Sequence, residues 1–432
     1  MKRTFSSFDS ISSQNNSNGQ SSSEVKNLSS KEASKNRLQE GLRDVIGLEI
    51  TKKLGAGTYG TVYKAKDKLN DEIVALKLIK FMDKSIRGFN GFPVTTVREI
   101  SILNQLKDEN LIELKGMIYA QKSSEDNNET DGIIYESGSI FMMFQFTKFD
   151  LAGLINNRDI QFTYNHYRSF AKQLLNGVHY MHSKHILHRD IKAANILVTS
   201  DNVIKIADWG LARHYTPRQH KNKLTGPLIV TLHYRAPELL LECTRYESEI
   251  DMWSVGCLIA EMGVRTVLLK GSNEADQLHL IYKLCGKPEG SALEVYQKYP
   301  AWDKMEVKGD YHNSIKNRLR GHRVDDEMID LIENILQLEP AARLSAKDAL
   351  SKDVFWSQKH GKVPLPSLLE PLAADDCHEH DIKEKAEQAR REMNQKKNED
   401  LEKEKQHRRE QLNQKAGARQ GKRFSIVKPK KK

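Results

Sequence analysis

The stretch HILHRDIKAANILV sets an aspartate, a lysine and an asparagine at positions 190, 192 and 195. Asp190 would accept or orient the proton of an attacking hydroxyl. Lys192 could neutralise a phosphoryl group in transit, and Asn195 could supply a magnesium ligand. A turn rich in Asx residues could reach this spacing by chance, but the residues around it make that reading weak. KIADWGLAR brings a second candidate metal ligand, Asp208, and YRAPE brings Ala236, Pro237 and Glu238. Upstream, Gly55, Gly57 and Gly60 spell G-x-G-x-x-G, and VALK places Lys77 on an apolar stretch. The glycines alone are a weak signal, because dinucleotide-binding folds use the same letters. There the glycines open a helix. Here TVYKAK reads as a strand, which fits a hairpin laid over phosphates. A buried lysine needs an anion, and Glu99 is the candidate partner for Lys77. Taken in chain order, the set points to phosphoryl transfer achieved by positioning and electrostatics.

The elements that must hold these residues can be read from patterning. From Leu48, strand-like segments are broken by glycines and by LND. A helix is expected in PVTTVREISILNQL, with Pro93 at its start and Val97, Ile100, Leu103 and Leu106 at helical spacing. Ala120 to Gly132 reads as a polar loop and SIFMMFQF as an apolar strand. After Asp150 the apolar spacing is mostly helical. Strands followed by helices imply an α+β fold with two lobes. The small lobe is expected over 48–148, the helical lobe over 149–356, and a Pro-rich extension hugging that lobe over 357–380. Residues 1–40 are rich in Ser, Asn, Gln and Lys and are expected to be disordered. Residues 381–432 form a basic tail, helical from Asp381 to about Lys415. Its few apolar residues, Ile382, Met393, Leu401 and Leu412, do not sustain a heptad seam.

Charge is distributed unevenly. Between Lys383 and Lys432 there are 18 Lys or Arg against 8 Asp or Glu, which equals the net charge of +10 for all 432 residues. The rest of the chain is balanced, which argues against a basic nucleic-acid-binding face on the core. No apolar run approaches the roughly 20 residues of a membrane helix, and the first residues lack the apolar core of a signal peptide. Cys243, Cys257, Cys285 and Cys377 show no metal-ligand spacing and read as reduced intracellular thiols.

Over roughly Leu48 to Phe355 these motifs resemble the eukaryotic protein kinases. The resemblance implies a two-lobed kinase fold and the use of ATP and Mg2+. It implies that Leu54, Gly55, Ala56, Gly57, Thr58, Tyr59 and Gly60 cover the nucleotide, and that Val62, Ala75 and Leu197 sandwich the base. Phe144 resembles the gatekeeper before the hinge, whose Gln145 and Thr147 backbones would meet adenine. Asp251 resembles the brace of the catalytic loop, and Arg343 the partner of Glu238. GFPVTTVREI is similar to the cyclin-binding helix of cyclin-dependent kinases, while LIVTLHYRAPELLL and LIYKLCGKPEG are similar to their transcriptional branch. That implies a T- or K-type cyclin partner, the RNA polymerase II tail as substrate, and a nuclear location. Arg98, Arg189 and Arg213 match the three arginines that fold around an activating phosphothreonine. Thr225 is the expected site, with Thr216 as rival. Asp376 to Glu379 resembles the Asp-Cys-His-Glu run that contacts nucleotide in cyclin-K-type kinases; a plain polar linker is the competing reading.

Three departures bear on function. Trp209 stands where Phe is usual, which admits a pseudokinase scaffold as an alternative to an enzyme. We expect an active enzyme, because the carboxylate of Asp208 is intact and Trp keeps the aromatic face, although its N–H wants a partner if buried. His233 stands where relatives usually carry Trp. Thr225 lies six residues before Thr231, one more than in relatives. A mitogen-activated kinase is a weaker reading, since no Thr-x-Tyr lies between Arg213 and Ala236. Thr58 and Tyr59 read as loop residues rather than inhibitory sites. A third class of function is nucleic-acid binding by the basic tail, for which KRFSIVKPKKK also suggests nuclear import.

Overall fold

Alternation of inward and outward side chains builds the small lobe. Strands β2 (Leu48–Gly57), β3 (Gly60–Asp67) and β4 (Glu72–Ile79) form an antiparallel meander, and β5 (Leu114–Tyr119) and β6 (Ile140–Gln145) complete its far side. A short strand β1 (Leu42–Asp44) adds in parallel to the β5 edge, so the sheet runs β1-β5-β6-β4-β3-β2. One face of the sheet buries Ile50, Tyr63, Ala65, Val74, Leu76 and Phe141 in a core of its own. The structure is a computed structural model that describes residues 42–44, 47–57, 60–79, 92–120, 135, 138–216, 230–305, 308–322, 324–372 and 377–421. The expected disordered segment 1–40, Thr58, Tyr59, Thr225, Asp376 and most of the polar loop lie outside the described residues.

Helix α1 (Val94–Gln105) begins at Pro93 as its sequence predicts. Leu103 and Leu106 of the expected seam are buried and Ile100 packs against the core, but Val97 departs from it. Thr96, Glu99, Ile102 and Leu103 are buried, whereas Val97 is 53% and Val94 71% exposed. The reason is Glu99: the helix turns that carboxylate inward to meet a lysine, and Val97 goes outward with the rotation.

The large lobe holds the main core. After β7 (Phe149–Asp150) come α2 (Leu151–Asn156) and α3 (Tyr164–Ser183), the latter opened by a capping box between Thr163 and His166. Short strands β8 (Ile186–Leu187), β9 (Ile196–Val198), β10 (Ile204–Ile206) and β11 (Arg213–His214) frame the catalytic segments. The remaining helices are α4 (Pro237–Leu240), α5 (Glu249–Val264), α6 (Glu274–Cys285), α7 (Gly290–Tyr296), α8 (Ile315–Arg320), α9 (Asp326–Ile335) and α10 (Ala346–Ala349). Helix α5 is buried along nearly its whole length, including Asp251, Trp253 and Glu261.

Beyond the lobe, Leu369 and Leu372 are buried, and the Glu370 carbonyl lies 2.9 Å from His166 Nε2. A final helix α11 (Glu379–Gly421) starts two residues earlier and runs further than expected. It is held by pairs one turn apart, such as Lys383 with Glu379 and Arg391 with Glu387. Among the described residues no helix is long and apolar enough to cross a membrane.

Candidate active site

Cross-strand register brings the first cluster together. On β4, Ala75 lies opposite Phe144 and Lys77 opposite Met142, while Val62 of β3 pairs with Lys77 from the other side. Residues two apart on a strand share a face, so Ala75 and Lys77 look into the same cleft. Lys77 Nζ donates to Glu99 Oε1 at 2.7 Å and to Asp208 Oδ1 at 3.1 Å. Burial would lower the lysine pKa, but the carboxylates of Asp208 and Glu99 outweigh it and hold it raised. Burial likewise disfavours an ionised Asp208, yet the Lys77 charge and hydrogen bond win and keep its carboxyl below the usual range. Glu99 is the most enclosed of the three, and burial pushes its carboxyl up against the opposing pull of Lys77.

The second cluster centres on Asp190. Its Oδ2 accepts from Lys192 Nζ at 2.6 Å and from Asn195 Nδ2 at 3.1 Å. Its Oδ1 accepts from Thr231 Oγ1 at 2.7 Å and from the Thr231 N–H at 3.2 Å. Thr231 thus positions the carboxylate, a role the sequence reading missed. The loop is braced from below by Asp251, which accepts from the N–H groups of His188 (2.9 Å) and Arg189 (2.8 Å), with His182 Nε2 at 3.0 Å. Burial opposes the Asp251 charge, but these donors and the neighbouring histidines hold its pKa down. Arg343 and Glu238 form a buried two-pronged pair at 2.6 and 2.7 Å, as the motif positions imply.

Between the clusters lies a cleft of about 500 Å³, lined by Leu54, Gly55, Val62, Ala75 and Leu197 on its apolar walls. The same cleft reaches Phe144, Gln145, Thr147, Lys77, Asp190, Asn195 and Asp208. Gly60 is required where it stands: at φ +154° a Cβ would fall 2.1 Å from the Leu78 carbonyl oxygen. Gly57 and Ala56 belong to the β2 backbone of the same hairpin. Asp208 itself has φ +63°, in the left-handed region that Asp tolerates better than most residues. The donor set fits a hard divalent cation: an ionised Asp208, and Asn195, whose Nδ2 is spent on the Asp190 carbonyl at 2.8 Å. Apolar walls beside a lysine and a glycine hairpin fit a nucleoside polyphosphate.

Trp209 is 1% exposed, with the His188 ring packed edge-on at 4.8 Å, and its Nε1 has no hydrogen-bond partner among the described residues. The expected acceptor is therefore missing, at a cost of about 1–3 kcal/mol for a buried unsatisfied donor. One of the three arginines is also under-satisfied. Arg189 donates to the Leu211 carbonyl and Tyr246, while Arg213 Nη1 is buried with no partner among the described residues. Burial first, and the Arg189 charge second, lower the pKa of Arg98. Thr216 is exposed just after β11.

The tail reaches the same cleft. Cys377 pairs with the hinge end of the large lobe: its N–H donates to Lys148 O at 3.1 Å and its carbonyl accepts from Asp150 N at 3.3 Å. Asp150 Oδ1 caps α2 through Gly153 N, and its Oδ2 accepts from Glu379 N at 2.8 Å. Gly153 makes room, since a Cβ there would lie 2.4 Å from the Cys377 carbonyl oxygen. Lys52 of β2 meets Asp381 at 3.0 Å, and His378, Glu379 and His380 line the cleft. Asp150 is the second functional residue the sequence reading overlooked, although an Asp just before LAGLIN carries an N-cap signal.

A protein-family model for the protein kinase domain matches residues 48–355. Cyclin-dependent kinase C-1 of Arabidopsis thaliana is 39% identical over 347 residues, covering 80% of this chain and 66% of that protein. Cyclin-dependent kinase 9-A of Xenopus laevis is 40% identical over 331 residues, covering 76% of this chain and 84% of that protein. The chain thus spans just under two thirds of the plant relative and most of the frog one. Among solved structures, the chain is similar to one in the crystal structure of the yeast RNA Pol II CTD kinase CTDK-1 complex, with a TM-score of 0.63 and 30% identity over 76% of this chain and 96% of that one. With the lysine pairing, the braced aspartate and the ordered motifs already in place, these likenesses make the chain a member of the protein kinase family, on its cyclin-dependent branch.

Proposed function

We propose that the chain is a cyclin-dependent serine/threonine protein kinase of the transcriptional type, transferring the γ-phosphoryl group of ATP to Ser or Thr before Pro. One observation carries this reading: Lys77 is held by both Glu99 and Asp208 across a cleft from Asp190, whose two oxygens are already oriented. Lys77 positions phosphates, and Glu99 fixes Lys77. Asp208 and Asn195 hold Mg2+, which when bound supplies neutralisation of phosphate charge. Asp190 takes or orients the proton of the substrate hydroxyl, and Lys192 steadies the charge that develops beside it. Leu54, Val62, Ala75 and Leu197 flank the base, with the backbones of Gln145 and Thr147 at its edge. His378 and Glu379 close the mouth of the cleft.

A cyclin of the T or K type is the proposed activator. The exposed Val94 and Val97 on α1 support it, because an apolar helix face left in water invites a partner. Arg98, Arg189 and Arg213 form the proposed pocket for a phosphothreonine, which adds roughly −1.5 to −2 charge. Thr225 is the proposed source, and mass spectrometry finding phosphate on Thr216 alone in active enzyme would reassign it. The likeness to the yeast RNA Pol II CTD kinase complex supports the RNA polymerase II tail as the proposed substrate, and hence a nuclear location. The basic tail is proposed to add a weak nucleic-acid contact.

The test is radiolabel transfer from ATP to a Ser-Pro peptide by the cyclin-bound chain. Wild type is expected to be active, and the free chain nearly inactive. Trp209→Phe keeps substantial activity, since it removes an unpaired N–H, while Asp208→Ala loses about 10³-fold or more. A cyclin-bound wild type that transfers nothing while Trp209→Phe does would overturn the reading in favour of a scaffold.

A further inference from the structure

Helix α2 is the platform under the tail, and it is too short to hold itself. Its six residues make fewer than two turns, and the last carbonyls of any helix lack partners within it. At its start Asp150 Oδ1 accepts from Gly153 N at 2.7 Å. Its far end is closed by a residue from another element. Arg265, which follows α5, donates from Nε to the Ile155 carbonyl at 3.0 Å, and from Nη2 to those of Leu154 at 2.9 Å and Asn157 at 2.7 Å. The guanidinium also lies over the Phe162 ring, 5.5 Å from its centre. Arg265 holds this post from a left-handed backbone, with φ +58° and ψ 33°. Glycine is the residue such a helix end favours, since it takes that conformation freely. What offsets the strain of an arginine there is its guanidinium, which glycine cannot supply.

The carbonyls it holds belong to the surface on which the tail sits. Asn157, which takes the shortest of the three bonds, directs its Nδ2 to Cys377 Sγ at 3.7 Å. One turn back, Gly153 lies so close to the tail that a Cβ would fall 2.4 Å from the Cys377 carbonyl oxygen and 3.3 Å from its Sγ. With so little clearance, a small shift of α2 either opens these contacts or drives them into overlap. The other end of α2 receives Glu379 N on Asp150 Oδ2 at 2.8 Å. Arg265 in turn is fixed by α5, a helix buried along nearly its whole length, whose first turn carries Asp251, the brace of the catalytic loop. Arg265 itself is not among the residues that line the cleft. Its guanidinium sets the tail's seat in register with the catalytic loop from outside the cleft.

We propose that Arg265 is a positioning residue for the tail: by fixing the C-terminal end of α2, it sets the seat on which Cys377 and Glu379 hold the tail across the mouth of the nucleotide cleft. The kinetic consequence rests on the reading of the tail as a closure over nucleotide; the seating itself does not. A loosened seat weakens the hold on ATP while leaving Asp190 and Lys77 in place, so it raises KM without altering kcat.

Labelling of the cyclin-bound full chain with N-ethylmaleimide, read cysteine by cysteine by mass spectrometry, tests the seat without nucleotide. Cys377 is 7% exposed, so its labelling reports an unseated tail, and Cys257, 1% exposed within α5, reports unfolding. Arg265→Gly keeps the left-handed turn and removes the guanidinium. It is expected to speed labelling of Cys377 about fivefold or more, comparable to the loss of one net hydrogen bond, with Cys257 unchanged. KM for ATP should rise about threefold with kcat unaltered. Arg265→Lys, which keeps a cation but not the planar fork, should fall between. In a chain truncated before residue 376, Arg265→Gly should leave KM where the truncation sets it. Equal Cys377 labelling in wild type and Arg265→Gly, parallel gains at Cys377 and Cys257, or a KM effect that survives the truncation would overturn the proposal. Faster Cys377 labelling with unaltered KM would uphold the seat and overturn the tail's closure of the cleft.

Discussion

The catalytic loop and the tail both end at the nucleotide cleft, yet they are held there by different forces. The loop hangs on Asp251, 1% exposed, whose charge is shared among two backbone N–H groups and His182. Removing one side of such an arrangement strands a buried charge or a row of buried donors. The tail is held by backbone contacts at Cys377 and Glu379, by burial of Cys377, by the His378 ring 3.5 Å from Asp150, and by the pair of Lys52 with Asp381, whose lysine is half exposed. The polar groups among these can fall back on water. The loop is therefore the more deeply anchored of the two, and the tail is expected to be the first to open.

The largest effect should come from the loop. Asp251→Ala is expected to lower stability by about 3–5 kcal/mol, the usual result of breaking a buried charge network, and to abolish activity. Denaturant unfolding and peptide phosphorylation measure both, and a stable, active Asp251→Ala would break the comparison. Next is Glu261, on the same helix, which accepts from Tyr234 at 2.6 Å. Burial pushes its carboxyl up to about 7 from 4.5, Tyr234 opposes this, and the Glu379 charge adds to it. The folded state then holds a proton that the unfolded state has released, so stability should fall as pH rises from 4.5 to 7, by on the order of 3 kcal/mol. Glu261→Gln should flatten that slope, and loss of the tail should reduce it. An unchanged slope in Glu261→Gln would assign the pH response to other groups.

The tail comes third. Truncation before residue 376 should raise KM for ATP roughly three- to tenfold, comparable to one net hydrogen bond, with cyclin binding and melting temperature little changed. Unaltered nucleotide kinetics would reduce the tail to a linker. The smallest effect is expected from Lys52→Ala, less than about fivefold on the same KM, because exposed ion pairs contribute at most about 1 kcal/mol. If Lys52→Ala matched the truncation, the ion pair rather than the backbone contacts would be the latch.

The same contrast explains what could be read in advance. Asp190, Lys192, Asn195 and Asp208 sit in runs whose letters and spacing are dictated by one chemistry, so they stand out in the sequence and meet at one cleft. The pairing of Lys77 with Glu99 was legible because a lysine in an apolar strand requires an anion. Thr231 and Asp150 were not read as site residues, since a threonine or aspartate does many jobs and only tertiary contact selects one. One position of the α1 seam, Val97, was misplaced for a related reason: hydrophobic spacing assumes that apolar residues face inward, and here a buried ion pair sets the rotation. The missing partner for the Trp209 N–H is likewise a property of packing, which no linear pattern encodes.

Helix α11 gives the molecule a reach that its catalytic lobes lack. Forty-three residues at 1.5 Å each make a rod about 65 Å long, roughly twice the ~30 Å diameter of a small domain. The near end of this boom is moored at Glu379, at the mouth of the cleft. Whatever grips its far end can tether the enzyme to a large assembly while standing clear of the substrate's approach. Because the mooring lies at the cleft, a pull on the rod strong enough to unseat Glu379 from Asp150 would also change the cleft's mouth.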